Sequence, residues 1–364
     1  MTAADQRITP FAAPIKNSLR SLPISLEEID TFDNVIDVRS PGEYGEDHMP
    51  GAVNFPVLDD AERVRIGTMY KQSSAFEAKK LGAALVARNI ASHIEKSFLD
   101  KPKSWKPLVY CWRGGSRSAA MVHILRSIGW PALQLDGGHK GWRGQVIRDL
   151  EALPEKFSFL VVCGRTGSGK SRLLDALERT DRQVLDLEKL AAHKGSVLGD
   201  LPGQAQPAQK LFESRVWAAL SRFDVARPVY VEAESKKVGS LRVPDVLIQH
   251  MRQSPCYDVQ TPDAQRVQLL REEYAHLIAA PDLLFAKLDC LTALHPAMKI
   301  AEWKALATRG LWSEFVADML IHHYDPAYAR SMFKNFVHAK NATPLIAADI
   351  ADAAFQSLAR GLPR

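Results

Sequence analysis

The stretch Gly164-Arg165-Thr166-Gly167-Ser168-Gly169-Lys170-Ser171 matches the pattern G-x-x-x-x-G-K-[ST] at every defined position. Its surroundings suit the pattern: the apolar run at 157–162 predicts a buried strand, and residues 172–178 predict the start of a helix. A strand, a glycine-rich turn and a helix in that order call for an α/β sheet with the turn at the carboxyl end of the strand. Loop amides and the helix N-terminus would then surround a phosphate, with Lys170 adding a point charge. In nucleotide enzymes the hydroxyl at the position of Ser171 ligates Mg²⁺, so the motif leaves room for that ion. The strand expected at 228–231 does not end in a Walker B aspartate but runs into Glu232-Ala233-Glu234-Ser235. ATP hydrolysis therefore does not follow from the loop, and a diphosphate of another kind fits the same amides.

A second glycine-rich turn lies about fifty residues earlier. Pro107-Leu108-Val109-Tyr110-Cys111 reads as a strand, Trp112-Arg113-Gly114-Gly115-Ser116-Arg117-Ser118 as a loop, and a helix follows through Ser127. A cysteine at the carboxyl end of a parallel strand sits where open α/β sheets bind ligands. Amides converging on its sulfur, together with the helix N-terminus, favour the thiolate, and Arg113 and Arg117 add full charges. Gly114 and Gly115 permit the positive φ that turns successive amides inward, while Trp112 and Ser116 complete the loop. Cys111 is thus the expected nucleophile, able to carry an anionic persulfide or perselenide. The spacing from Cys111 to Arg117 also fits the Cys-x5-Arg of phosphatases, although Tyr110 stands where those enzymes have histidine. Cys163, Cys256 and Cys290 lack such neighbours and read as structural. No CxxC or His/Cys cluster at zinc spacing occurs, so no metal centre is expected.

These two turns divide the chain of 364 residues. Residues 1–28 read as an irregular lead-in, 29–150 as one alternating α/β domain, and 151–262 as the phosphate-loop domain. Residues 263–364 read as a mostly helical region packed on the latter. With 46% hydrophobic and 24% charged residues, the composition is that of a soluble globular protein. No apolar run approaches the length of a membrane helix, and residues 1–20 lack the features of a signal peptide, so a cytoplasmic protein without membrane association is expected. The formal charge of +5 permits a polyanionic partner without demanding one.

Four motifs in the first domain occur in the order of rhodanese signatures and resemble them: Asp37-Val38-Arg39-Ser40-Pro41-Gly42-Glu43-Tyr44, His48-Met49-Pro50-Gly51-Ala52-Val53-Asn54-Phe55-Pro56, the Cys111 loop, and Asp136-Gly137-Gly138-His139-Lys140-Gly141-Trp142. The rhodanese-like domain and the phosphate loop together are similar to the tRNA 2-selenouridine synthases. So are the segments beginning at Asp186 and Glu232, and His323-Tyr324-Asp325-Pro326-x-Tyr328. The resemblance spans roughly residues 15–340. It implies a two-step change at the wobble uridine of tRNA: geranylation of 2-thiouridine with geranyl diphosphate, then replacement of the geranylthio group by selenium from selenophosphate. It also implies that the phosphate loop binds the diphosphate, that Asp186, Glu232 and Glu234 line that site, and that Cys111 carries selenium as a selanylsulfide. No prosthetic group is implied. Lys236, Lys237 and Arg242 are candidates for tRNA phosphates or simply a solvated face. A rhodanese-type sulfurtransferase coupled to an NTP-hydrolysing domain, and a ligand-binding adaptor, remain the competing readings.

Overall fold

The computed structural model describes residues 19–364, so most of the expected lead-in lies outside the described residues. The chain divides between Asp149 and Leu150 into two units. The first contains five parallel strands, β1 (Leu19–Arg20), β2 (Asn34–Asp37), β3 (Ala52–Asn54), β4 (Pro107–Tyr110) and β5 (Leu133–Leu135), in the order β1-β5-β4-β2-β3. Its helices are α1 (Leu26–Ile29), α2 (Pro41–Glu46), α3 (Asp60–Gln72), α4 (Ala75–His93), α5 (Ser116–Ile128) and α6 (Gly138–Ala152). All four residues of β4 are buried, as expected of a parallel strand covered on both faces. Ile36, Val109, Met121 and Leu125 pack with Phe98, Trp105 and Trp130 into one core. Ser40, Asp59 and Ser74 each cap the helix they precede by accepting a backbone N–H.

The second unit also centres on a five-stranded parallel sheet. Its strands are β6 (Phe159–Cys163), β7 (Gln183–Leu185), β8 (Val229–Glu232), β11 (Cys256–Gln260) and β12 (Thr343–Ile346), in the order β12-β11-β6-β8-β7. A separate antiparallel pair, β9 (Lys237–Val238) and β10 (Leu241–Arg242), follows β8. α7 (Lys170–Arg179) leaves the phosphate loop with Leu173, Leu174 and Leu177 buried against the sheet. After α8 (Leu187–Ala191), α9 (Gln209–Leu220) and α10 (Asp245–Gln253) come six helices: α11 (Asp263–Glu273), α12 (Ala275–Ala279), α13 (Pro281–Asp289), α14 (Ala297–Thr308), α15 (Trp312–Met319) and α16 (Asp325–Asn335). Leu284, Leu288, Trp303, Phe315 and Met319 give this helical part its own core. α17 (Asp352–Arg360) returns to α7, and its Phe355 closes on the phosphate loop. A Cβ on Gly169, at φ +89°, would stand 2.3 Å from that ring, so only glycine fits there.

One local expectation needed correction. The lead-in is not wholly irregular: Leu19–Arg20 adds an edge strand to β5, and Ser25 caps α1. Two residues have no periodicity to read; the pairing comes from a partner distant in sequence. The mostly helical region beyond 263 also contributes one strand, β12, which forms the sheet edge beside β11. Pro344 makes that segment look unlike a strand, but an edge position tolerates a residue that cannot donate.

Candidate functional site

In the first unit the four sequence motifs converge beneath the Cys111 loop. Asp37 and Arg39 form a buried ion pair at 2.6 Å, and Arg39 also donates to the Asp47 carbonyl at 2.6 Å. The Asp47 carboxylate meets His139 Nε2 at 3.1 Å, and the Met49 N–H donates to the Tyr110 hydroxyl at 3.1 Å. The His139 and Lys140 amides donate to the carbonyls of Cys111 and Trp112, both at 2.8 Å, which fastens the start of α6 to the loop. That approach requires glycine. A Cβ on Gly138 would lie 2.4 Å from the Cys111 carbonyl oxygen and from the Gly114 nitrogen.

The Cys111 sulfur is buried but not surrounded by hydrocarbon alone. The Gly115 N–H points at it from 3.2 Å, and the Ser118 hydroxyl lies 3.2 Å away. The Ser118 oxygen accepts from Gln134 Nε2 at 3.0 Å, so its single proton remains for the sulfur or for the Gly115 carbonyl, also at 3.2 Å. Burial by itself would push the thiol up. Hydrogen bonds from the Ser118 side chain, the Ser118 amide and the Gly115 amide, with the Arg117 charge, outweigh burial and hold the pKa below the ordinary thiol value.

The loop departs from the sequence reading in three respects. Gly114 takes positive φ (+64°), but Gly115 sits at −94°, open to any residue. Arg117 is paired with Glu43 at 2.8 Å, which offsets much of its charge, and Arg113, Trp112 and Ser116 are exposed. Ser118 and Gln134 were missed. Ser118 had one usable signal, a hydroxyl in the first turn of a helix that begins beside the cysteine.

In the second unit the phosphate loop opens onto a cleft of about 360 Å³. Thr166, Gly167, Gly169, Lys170 and Ser171 form one side, and Glu188, Glu234, Tyr274, Tyr324 and Tyr328 lie on others. Lys170 Nζ donates to the Gly164 carbonyl at 2.8 Å, and the Gly164 N–H donates to the Tyr328 hydroxyl at 2.6 Å. Buried Arg266 braces the loop from behind, donating to the Thr166 carbonyl at 2.8 Å and pairing with Asp325 at 2.5 Å. Arg165 turns outward to Asp325 and Asp263, and Ser168 is buried, its carbonyl accepting from Thr261 at 2.7 Å.

The acidic residues divide into two groups. Glu234 faces the cleft as the sequence suggests. Asp186 and Glu232 do not line it: Asp186 caps α8 by accepting the Lys189 N–H at 2.7 Å, and Glu232 is buried, accepting the Glu188 N–H at 2.8 Å. These two shape the cleft from behind. Glu188 is the carboxylate the sequence reading overlooked; no motif marks it. Its Oε1 and that of Glu234 would both lie within 3 Å of a Cβ on Gly195, so the two carboxylates crowd one spot. Burial, then the neighbouring Glu234 charge, pushes the Glu188 carboxyl up to about 8, and burial also raises Glu234.

A pH dependence follows. Between the ordinary carboxylate value and about 8, the folded chain keeps a proton on Glu188 that the unfolded chain has lost, so this group makes stability fall as pH rises through that window. An anion beside Lys170 favours the same protonated form. Pyrophosphate affinity is therefore expected to drop about tenfold from about pH 6 to about pH 9 beyond what Glu188→Gln shows. Calorimetric titration of both proteins across that range checks this, and identical profiles would refute it.

The comparisons with known proteins agree with this two-part arrangement. The rhodanese-like domain family matches residues 24–145, and the family described as "tRNA 2-selenouridine synthase AAA domain" matches residues 157–283. Over 328 residues the chain is 31% identical to the tRNA 2-selenouridine synthase of Alcanivorax borkumensis, an alignment covering 81% of this chain and 88% of that relative. This chain belongs to the tRNA 2-selenouridine synthases. Within the family it is 36% identical to the Nitrosomonas europaea member over 247 residues, or 66% of this chain and 63% of that relative. With the Sulfurovum member it shares 35% over 244 residues, 66% and 65% respectively. In these last two alignments the chain spans slightly less than two thirds of the relative.

Family membership gives the His323–Tyr328 segment its meaning. Although about 150 residues beyond the loop in sequence, it folds back to it: Tyr328 bonds Gly164, Asp325 holds Arg266, and His323 and Tyr324 line the cleft. Of the candidate tRNA contacts, Lys237 and Arg242 are exposed on the β9–β10 pair, whereas Lys236 is tied to Asp245 at 2.7 Å. Among the described residues, no helix is long and apolar enough to cross a membrane.

Proposed function

We propose that this protein geranylates the sulfur of wobble 2-thiouridine in tRNA with geranyl diphosphate and then exchanges the geranylthio group for selenium from selenophosphate. In the first step the 2-thio sulfur forms a bond to C1 of the geranyl group, the C1–O bond breaks, the diphosphate leaves with the electron pair, and the N3 proton is lost. The phosphate loop stabilises that leaving group: its amides and Lys170 face the oxygens on which charge develops. The Ser171 hydroxyl is an oxygen donor of the kind Mg²⁺ takes, and that ion would arrive with the diphosphate. In the second step the P–Se bond of selenophosphate breaks as water takes the phosphoryl group to give phosphate. The hydrogen selenide released adds at C2, its proton passes to N3, and the geranyl thiolate departs. Cys111, whose thiol pKa is lowered by amide and hydroxyl donors, is the group we assign to selenium handling. Lys237 and Arg242 are assigned to tRNA phosphates.

The observation supporting this reading is that one chain of this family combines a diphosphate-sized cradle with a thiol of lowered pKa. Nucleoside mass spectrometry tests it. Incubation of 2-thiouridine tRNA with geranyl diphosphate alone should yield the S-geranyl nucleoside, and later addition of selenophosphate should yield 2-selenouridine. ATP-stimulated sulfur transfer from thiosulfate, with neither nucleoside formed, would favour a sulfurtransferase instead.

A further inference from the structure

The cleft at the phosphate loop does not end at Tyr274. A second, much narrower cleft, of about 50 Å³, runs among the helices beyond. The two share Thr166, Leu270, Tyr274 and Tyr324 in their walls, so the narrower one opens beside the phosphate loop. Its chemistry differs sharply from that of its neighbour. Away from the shared residues it is walled by Leu277, Leu284, Trp312, Phe315, Val316 and Met319, with the exposed Arg271 beside them. Leu277, Leu284, Phe315 and Met319 are themselves buried members of the helical core, so the walls are held by packing. A ligand spanning both clefts needs a multiply charged head at Gly169 and Lys170 and an unbranched or lightly branched apolar tail beyond Tyr274. A nucleotide meets that description poorly, because its ribose and base would lie against walls that are mostly hydrocarbon.

We infer that the helical region, through α12, α13 and α15, seats the hydrocarbon tail of the diphosphate substrate and that its side chains set the chain length accepted. This inference rests on the reading of the phosphate loop as a diphosphate site and adds the specificity element to it. Tyr274 stands at the junction, its ring under Lys194 Nζ at 5.0 Å, where the charged and apolar parts of the ligand would meet. The sequence gives no hint of this cleft, since its walls come from separate helices whose apolar residues read simply as core.

Calorimetry with the full chain tests the inference through a ladder of ligands: inorganic pyrophosphate, then dimethylallyl, geranyl, farnesyl and geranylgeranyl diphosphates. Burial of the tail should make geranyl diphosphate bind on the order of a hundredfold more tightly than pyrophosphate, with the gain ending at a definite length. Ile278→Trp, a change at a partly exposed wall residue, should weaken geranyl diphosphate about tenfold or more and leave pyrophosphate unchanged. Phe315→Ala should move the preferred length upward. On the wild-type chain alone, equal affinity for pyrophosphate and geranyl diphosphate would overturn the inference while leaving the diphosphate site standing. So would geranyl binding insensitive to Ile278→Trp. Failure of pyrophosphate to bind at all would remove the diphosphate reading and this inference with it.

Discussion

Lys170→Ala is expected to weaken geranyl diphosphate binding about a hundredfold and to abolish formation of the S-geranyl nucleoside. Lys170 is the first residue of α7, so its ammonium adds a full charge to the partial charges of the loop amides and helix N-terminus. Without ligand its Nζ donates to the Gly164 carbonyl, a contact that orients the side chain across the loop. Charge-assisted hydrogen bonds to a diphosphate contribute about 1.5–3 kcal/mol each, which corresponds to one to two orders of magnitude in affinity. Lys170→Arg should rescue little, because the position is confined under the Tyr328 ring, 5.7 Å from Nζ. Equilibrium binding of geranyl diphosphate, with circular dichroism to confirm folding, checks the result. Unchanged affinity would contradict the placement of the diphosphate.

Cys111→Ala is expected to remove 2-selenouridine formation entirely while geranylation continues near the wild-type rate, so that the S-geranyl nucleoside accumulates. An alanine methyl cannot accept from the two donors aimed at the sulfur, but Ser118 can turn to the Gly115 carbonyl and Gly115 is exposed to solvent. Loss of the sulfur should therefore cost chemistry rather than fold. Cys111→Ser should be equally inactive, since a serine hydroxyl does not ionise in this range. Ser118→Ala supplies a graded control: with one donor gone, the midpoint of thiol alkylation by iodoacetamide should move to higher pH. An alkylation profile unmoved by Ser118→Ala, or loss of geranylation in Cys111→Ala, would contradict the roles assigned here.

Much of this was legible in sequence because the two loops are local devices. A phosphate loop needs its glycines, lysine and serine within eight consecutive residues, and Gly164, Gly167 and Gly169 all take the positive φ such a turn demands. The Cys111 loop is equally compact, and buried strands such as β4 and β8 announce themselves as short apolar runs. What escaped reading was assembled by tertiary contact. Gln134 reaches Ser118 from β5, and Glu188 meets Glu234 only when α8 and the segment after β8 come together. Tyr328 and Arg266 reach the loop from helices far along the chain. Asp186 and Glu232 misled for the converse reason: carboxylates near a sheet end are as suited to capping amides as to meeting a ligand, and here they cap.

The claim at the centre of this account is a division of labour, alkylation at the phosphate loop and selenium transfer at the thiol. Giving Lys170→Ala a tRNA already carrying the S-geranyl nucleoside, together with selenophosphate, tests it directly by nucleoside mass spectrometry. Conversion to 2-selenouridine at close to the wild-type rate, by a protein that cannot start from 2-thiouridine, is the predicted result. No conversion from the S-geranyl nucleoside by a folded Lys170→Ala protein would show that the two steps share one machinery and that the division is wrong.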